Sequence, residues 1–122
     1  MDLIKESGLN LMISYYDERS FVINGKEYST NLYINSLDHI ASMDKAESNS
    51  NTIIQKAISL NSVDEIFLIG TGASLNHDMM IELLSHSSNY PFEVMNTASA
   101  VRTFNIVKSD GRKVSAILLL NH

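Results

Sequence analysis

The hydrophobic positions of this chain change period near residue 51. Upstream of it the apolar runs are short and strand-like. Phe21-Val22-Ile23-Asn24-Gly25-Lys26-Glu27-Tyr28 predicts a hairpin, because Asn-Gly tolerates the positive φ angles of a two-residue turn. Leu9 to Tyr16 is a mixed apolar stretch, and Leu32-Tyr33-Ile34 predicts a further short strand. Residues 35–50 are polar and mixed and read as a loop. Downstream, Ile53, Ile54, Ala57 and Ile58 recur at helical spacing, with Ser50 or Asn51 placed to cap the helix. Ile66-Phe67-Leu68-Ile69 is a continuous apolar run, the mark of a strand buried on both faces. Asn76 is placed to cap a second helix that turns Met80, Leu83 and Leu84 inward. Pro91 opens a strand over 92–95. A third helix covers residues 97–108, and Asp110-Gly111 turns the chain into a strand over 113–120.

The second half therefore alternates helix and strand three times. Short connections and buried strands make this an α/β domain, with at least the 66–69 and 92–95 strands parallel through a right-handed crossover. The N-terminal strands add a hairpin or a small second sheet. At 122 residues the chain is read as one domain, 1–122, able to build a core without staples.

Composition narrows the classes. There are no cysteines, so disulfides, thiolate metal sites and cysteine nucleophiles are excluded. Met1 to Ser7 has no basic segment followed by an apolar one, unlike a secretory signal. The longest apolar run, Ala116 to Leu120, falls far short of the ~20 residues that cross a bilayer. A cytoplasmic protein without direct membrane insertion is expected. The net charge of −5 is uneven: residues 1–95 hold 5 basic and 13 acidic side chains, whereas 96–122 hold Arg102, Lys108, Arg112 and Lys113 against Asp110. An acidic body argues against nucleic-acid binding, which needs several cations facing phosphates. Nothing in the sequence sets an oligomeric state.

Two segments carry candidate chemistry. Gly70-Thr71-Gly72-Ala73-Ser74-Leu75 lies at the carboxyl end of a buried strand, where open α/β sheets bind ligands. Glycines let the backbone approach closely, and N–H groups at a helix start attract anions. The third glycine of a dinucleotide fingerprint is replaced by Leu75, and no Lys-Ser/Thr pair follows, so a Walker site is excluded. The plainer alternative is a tight strand-to-helix turn. The other segment is the helix that starts at Thr97. Ala100, Val101, Phe104 and Val107 form its apolar stripe, while Ala98, Arg102 and Asn105 share a different face. Arg102 suits bidentate pairing with a carboxylate or phosphate, or a structural clamp; Asn105 suits a ligand or a tie to a neighbouring strand.

If the two strands are parallel, both segments lie at one sheet edge and form a shallow polar cleft. Its candidate binding residues are Gly70, Thr71, Gly72, Ser74, Thr97, Arg102 and Asn105. No catalytic residue, metal ligand or cofactor is expected. His39, His77, His86 and His122 are scattered, Asp64-Glu65 point to opposite strand faces, Asp17-Glu18 sit in a turn, and Ser74 lacks a nucleophile elbow.

Three stretches together carry a family resemblance. They are Ile69-Gly70-Thr71-Gly72; Phe92-Glu93-Val94-Met95-Asn96-Thr97 with Ala100, Arg102, Thr103 and Asn105; and Gly111-Arg112 with Val114 and Ala116. The chain resembles a family of small domains of unknown function that includes the mitochondrial respiratory complex I assembly factor 3 and the adipogenesis-associated domain protein of animals. The resemblance covers most of the chain, and its 92–116 motif is the more specific part. It implies a three-layer α/β fold with a mainly parallel central sheet and an added β layer. It also implies a non-enzymatic accessory role with another protein as partner, for instance a subunit of a membrane complex under assembly. Asn96 stands where the family commonly has an acid, and Phe104 where it has a tyrosine, which moves the segment away from acid–base chemistry. The alternative expectation is a small-anion or metabolite-binding domain using the Gly-Thr-Gly loop and Arg102.

Overall fold

A computed structural model describes residues 3–5, 11–44, 49–60, 66–85 and 92–120. The Asp64-Glu65 pair, Pro91, His86 and His122 lie outside the described residues. In chain order the elements are β1 (Leu3–Lys5), β2 (Ile13–Tyr16), β3 (Phe21–Ile23), β4 (Lys26–Tyr28), β5 (Asn31–Ile34), β6 (His39–Met43), α1 (Ser50–Leu60), β7 (Ile66–Gly70), α2 (His77–Leu84), β8 (Phe92–Met95), α3 (Thr97–Ser109) and β9 (Val114–Leu118).

Six strands form a central sheet in the order β1-β6-β5-β9-β7-β8, and β2-β3-β4 form a separate antiparallel sheet. The parallel pairing expected of 66–69 and 92–95 is present between β7 and β8 and continues between β7 and β9. The pairs β1–β6, β6–β5 and β5–β9 are antiparallel, so the sheet is mixed rather than mainly parallel. The reason is the chain between residues 35 and 43. What the polar composition suggests is a loop contains β6, which hydrogen-bonds with β5 on one side and β1 on the other. Tight reversal at Asn35–His39 makes that pairing antiparallel. Asn35 accepts the N–H groups of Leu37 and His39 at 2.9 and 3.0 Å, while Asp38 takes φ +65°.

Strand alternation divides the core between the two faces of the central sheet. Leu32, Ile34, Ile40, Leu68, Val114, Ala116 and Leu118 face α3 and the inner side of the small sheet (Ile13, Phe21, Ile23, Tyr28). Tyr33, Ala41, Met43, Phe67, Ile69, Phe92 and Ile117 face α1 and α2. The result is three layers, with the small sheet beside α3 as the added β layer. The Asn24-Gly25 hairpin is as expected, with φ of 50° and 82°. Two details differ. Asn49 caps α1 by accepting the Thr52 N–H at 2.9 Å, one residue before the expected caps. In α2 the inward residues are Met79 and Leu83; Met80 is half-buried and Leu84 is exposed. The cap is the expected Asn76, whose side chain accepts the Met79 N–H; the difference lies in which side of the helix packs into the core, where Met79 and Leu83 join Ile53, Phe67 and Phe92.

Candidate functional site

The two segments singled out by sequence meet at the carboxyl ends of the parallel strands. Gly70 ends β7, and α3 crosses directly over it. A Cβ on Gly70 would stand 2.8 Å from the Thr97 hydroxyl oxygen and 2.9 Å from its Cα. The first glycine of the motif is thus required by the start of α3. Gly72 has φ +109°, a conformation that side chains oppose.

Thr97 is fully buried and is the centre of the junction. Its hydroxyl donates to the Leu119 carbonyl at 2.7 Å and accepts the Gly72 N–H at 2.8 Å. Its own N–H donates to the Gly72 carbonyl at 2.8 Å. The Thr71 N–H donates to the Met95 carbonyl, and the Leu119 N–H donates to the Gly70 carbonyl. One threonine thereby ties the ends of β7, β9 and α3 together. Thr71 organises the loop itself: its hydroxyl donates to the Ser74 carbonyl at 2.9 Å and accepts the Asn76 N–H at 3.0 Å. Asn96 caps α3 by accepting the Ser99 N–H at 2.8 Å.

The cleft expected between the two segments is therefore bridged by hydrogen bonds. Ser74 is exposed on the loop. Arg102 is also exposed; its guanidinium donates to the Ser99 hydroxyl one turn back at 3.2 Å, and among the described residues no acid pairs with it. Asn105 faces the small sheet. Its amide oxygen accepts the Ile13 N–H at 3.0 Å and its amide NH2 donates to the Ile13 carbonyl at 2.8 Å. Because β2 is the edge of the three-stranded sheet, the Asn105 amide takes the place of a neighbouring strand's peptide group there. Of the seven candidate residues, Gly70, Thr71, Gly72 and Thr97 form one hydrogen-bonded junction. Asn105 belongs to the α3–β2 contact, and Arg102 and Ser74 remain solvent-facing.

Tyr16 joins this region without having been singled out. Its hydroxyl is buried and, among the described residues, has no aligned hydrogen-bond partner. Burial pushes the phenol pKa up; the nearby Thr97 hydroxyl works the other way, and the Glu18 and Asp17 carboxylates add to the rise. Nothing in the sequence separates Tyr16 from its exposed neighbour Tyr15. A second feature missed in the sequence is the ion pair of Lys108 with Asp38, which holds the β5–β6 turn against the end of α3. Among the described residues, no cluster of His, Cys, Asp or Glu is placed to hold a metal ion. No described helix is long and apolar enough to cross a membrane.

Comparison with known proteins bears on the family and the fold. The sequence profile of a protein family of unknown function (DUF498/DUF598) matches residues 13–119. No curated protein matches the chain. Several solved structures share the fold. A Bordetella parapertussis protein is 24% identical, with 93% of this chain and 98% of that one aligned at a TM-score of 0.64. A conserved hypothetical protein from Pyrococcus horikoshii is 19% identical, with 90% and 98% aligned at 0.66. A Bordetella pertussis protein described as an Mth938-like domain is 20% identical, with 99% and 93% aligned at 0.62. At these identities the likeness is one of fold.

Proposed function

This chain belongs to the DUF498/DUF598 family of proteins of unknown function, and from that premise we propose that it is a non-enzymatic accessory domain that binds another protein. The observation that carries the proposal is the use made of its polar groups. Thr71, Gly72, Thr97 and Asn105, the groups best placed to shape a reactive cleft, all bond internally. The middle of α3 leaves outside Arg102 and, one turn on, Ile106, which is 64% exposed. A cation beside an exposed aliphatic side chain suits a protein contact better than turnover of a small molecule. The resemblance to a family that includes the complex I assembly factor supports an assembly role, with a membrane-complex subunit as partner; the sequence reading supports a cytoplasmic location.

Affinity capture from native lysate with the unaltered chain and with Arg102→Ala tests this. The unaltered protein recovers a reproducible partner, and Arg102→Ala recovers less of it. Recovery of no reproducible partner by either protein contradicts the proposal. The alternative, a small-anion or metabolite site built on the Gly-Thr-Gly loop and Arg102, has less support because the Gly72 N–H and Thr71 and Thr97 hydroxyls already have partners. Amide shifts at 70–76 and 97–102 on titration with phosphate, nucleotides or dicarboxylates would favour it.

A further inference from the structure

Helix α2 is apolar on two sides. Met79 and Leu83 enter the core beneath α1 and the central sheet. Met80, Ile81 and Leu84 form a second apolar sector turned away from them, since successive residues advance by about 100°. Ile81 is 63% exposed and Leu84 45%. The neighbouring α1 shows the ordinary pattern, with Asn51, Gln55 and Ser59 outward.

The charged flank of α2 itself is acidic. Asp78 and Glu82 are exposed along one flank of α2. From Ala57 through Val101 the sequence has no lysine or arginine, against Asp64, Glu65, Asp78, Glu82 and Glu93. Among the described residues the chain's own exposed cations are Arg19, Lys26, Arg102, Arg112 and Lys113. Only Arg102 sits one turn from an exposed aliphatic side chain, Ile106, and a single such pair is shorter than the stripe that Met80, Ile81 and Leu84 would meet.

We propose that the outer face of α2 docks a basic amphipathic helix of a partner protein. The partner's apolar stripe lies on Met80, Ile81 and Leu84, and its lysines or arginines face Asp78 and Glu82. The i, i+3 and i, i+4 spacing of the apolar sector presents the ridge that a second helix packs against. This rests on the protein-binding reading of the domain and names its surface.

The test is an amide NMR titration of the whole chain with a 15-residue Leu/Lys amphipathic helical peptide, with a Leu/Glu peptide of the same pattern as control. Shifts centred on residues 77–85 with the Leu/Lys peptide alone are expected. Ile81→Ser weakens binding about tenfold or more, the worth of one buried aliphatic side chain. Ile81 is exposed, so the variant's melting temperature stays near that of the unaltered chain. Shifts spread over the acidic surface, equal binding of both peptides, or unchanged affinity in Ile81→Ser overturn the proposal. So does self-association that Ile81→Ser abolishes, since the occupant would then be a second copy. A captured partner that still binds Ile81→Ser refutes the α2 surface and leaves the protein-binding function standing. Peptide binding at α2 without any captured partner does the reverse.

Discussion

Replacing Asn105 with alanine tests whether its amide really stands in for a strand. The substitution removes two hydrogen bonds at once and leaves the N–H and C=O of Ile13 without partners. Ile13 is 3% exposed, so water reaches those groups only through the space the side chain vacates. An unsatisfied buried polar group costs about 1–3 kcal/mol. Two such groups at a half-open site sum to a loss of about 2–4 kcal/mol, a large part of the ~5–15 kcal/mol that holds a domain folded. Urea denaturation reads this as a lower midpoint with an unchanged slope. Hydrogen exchange at the Ile13 amide accelerates more than exchange in β7 or β9. Asn105→Asp supplies the decisive contrast. At neutral pH its carboxylate accepts the Ile13 N–H but repels the Ile13 carbonyl, so it too destabilises. Once protonated it donates as well as accepts, and its deficit relative to the unaltered chain narrows as pH falls through the carboxylate range. A loss below about 0.5 kcal/mol for Asn105→Ala, within the spread of ordinary surface changes, together with unchanged Ile13 exchange, would refute the assignment.

Gly70→Ala forces a methyl group within 2.9 Å of the Thr97 backbone, and a thermal melt should show a loss of at least ~1–3 kcal/mol from displacement of α3. Thr97→Val keeps the volume but strands the Gly72 N–H and Leu119 carbonyl, costing about 2–4 kcal/mol in the same measurement; an unchanged melting temperature would show that the junction contributes nothing. The backbone N–H of Arg19, the Tyr15 hydroxyl and the Ser20 N–H all donate to Asp17, holding its carboxyl below the ordinary value. Its contribution to the β2–β3 turn is therefore present above the usual carboxylate pKa and lost as pH falls through the lowered one. The Arg19 and Ser20 amides should shift in that acidic window, and a midpoint at or above the ordinary aspartate value would contradict the geometry.

Much of the second half could be read without coordinates because its signals are local. A run such as Ile66–Ile69 has no polar position to leave outside, so it belongs in the middle of a sheet. The cap Asn76 acts within three residues of itself. The Ala100, Val101, Phe104 and Val107 stripe sets the buried side of α3, and all four are buried. Asn24-Gly25 fixes a hairpin through its own φ preferences. The strand β6 could not be read, because His39-Ile40-Ala41-Ser42-Met43 is ordinary in composition and becomes a strand through long-range pairing with β5 and β1.

The polar candidates show the same division. Their chemistry was visible as residue types, but their roles depend on partners far away in sequence. Asn105 meets Ile13 92 residues upstream, and Thr97 meets Leu119 22 residues downstream. Lys108 meets Asp38 across 70 residues. By itself the sequence determined the α/β class, the order of helices and strands in the second half and the buried stripe of α3, since hydrophobic period, capping and turn preference act over a few bonds. Only the tertiary structure decided that the Gly-Thr-Gly segment is a packing junction, that Asn105 closes an edge, and that α2 has a second apolar face. Those outcomes depend on which surfaces the folded chain brings together, and hydrogen bonds and burial between distant segments leave no periodic trace in the sequence.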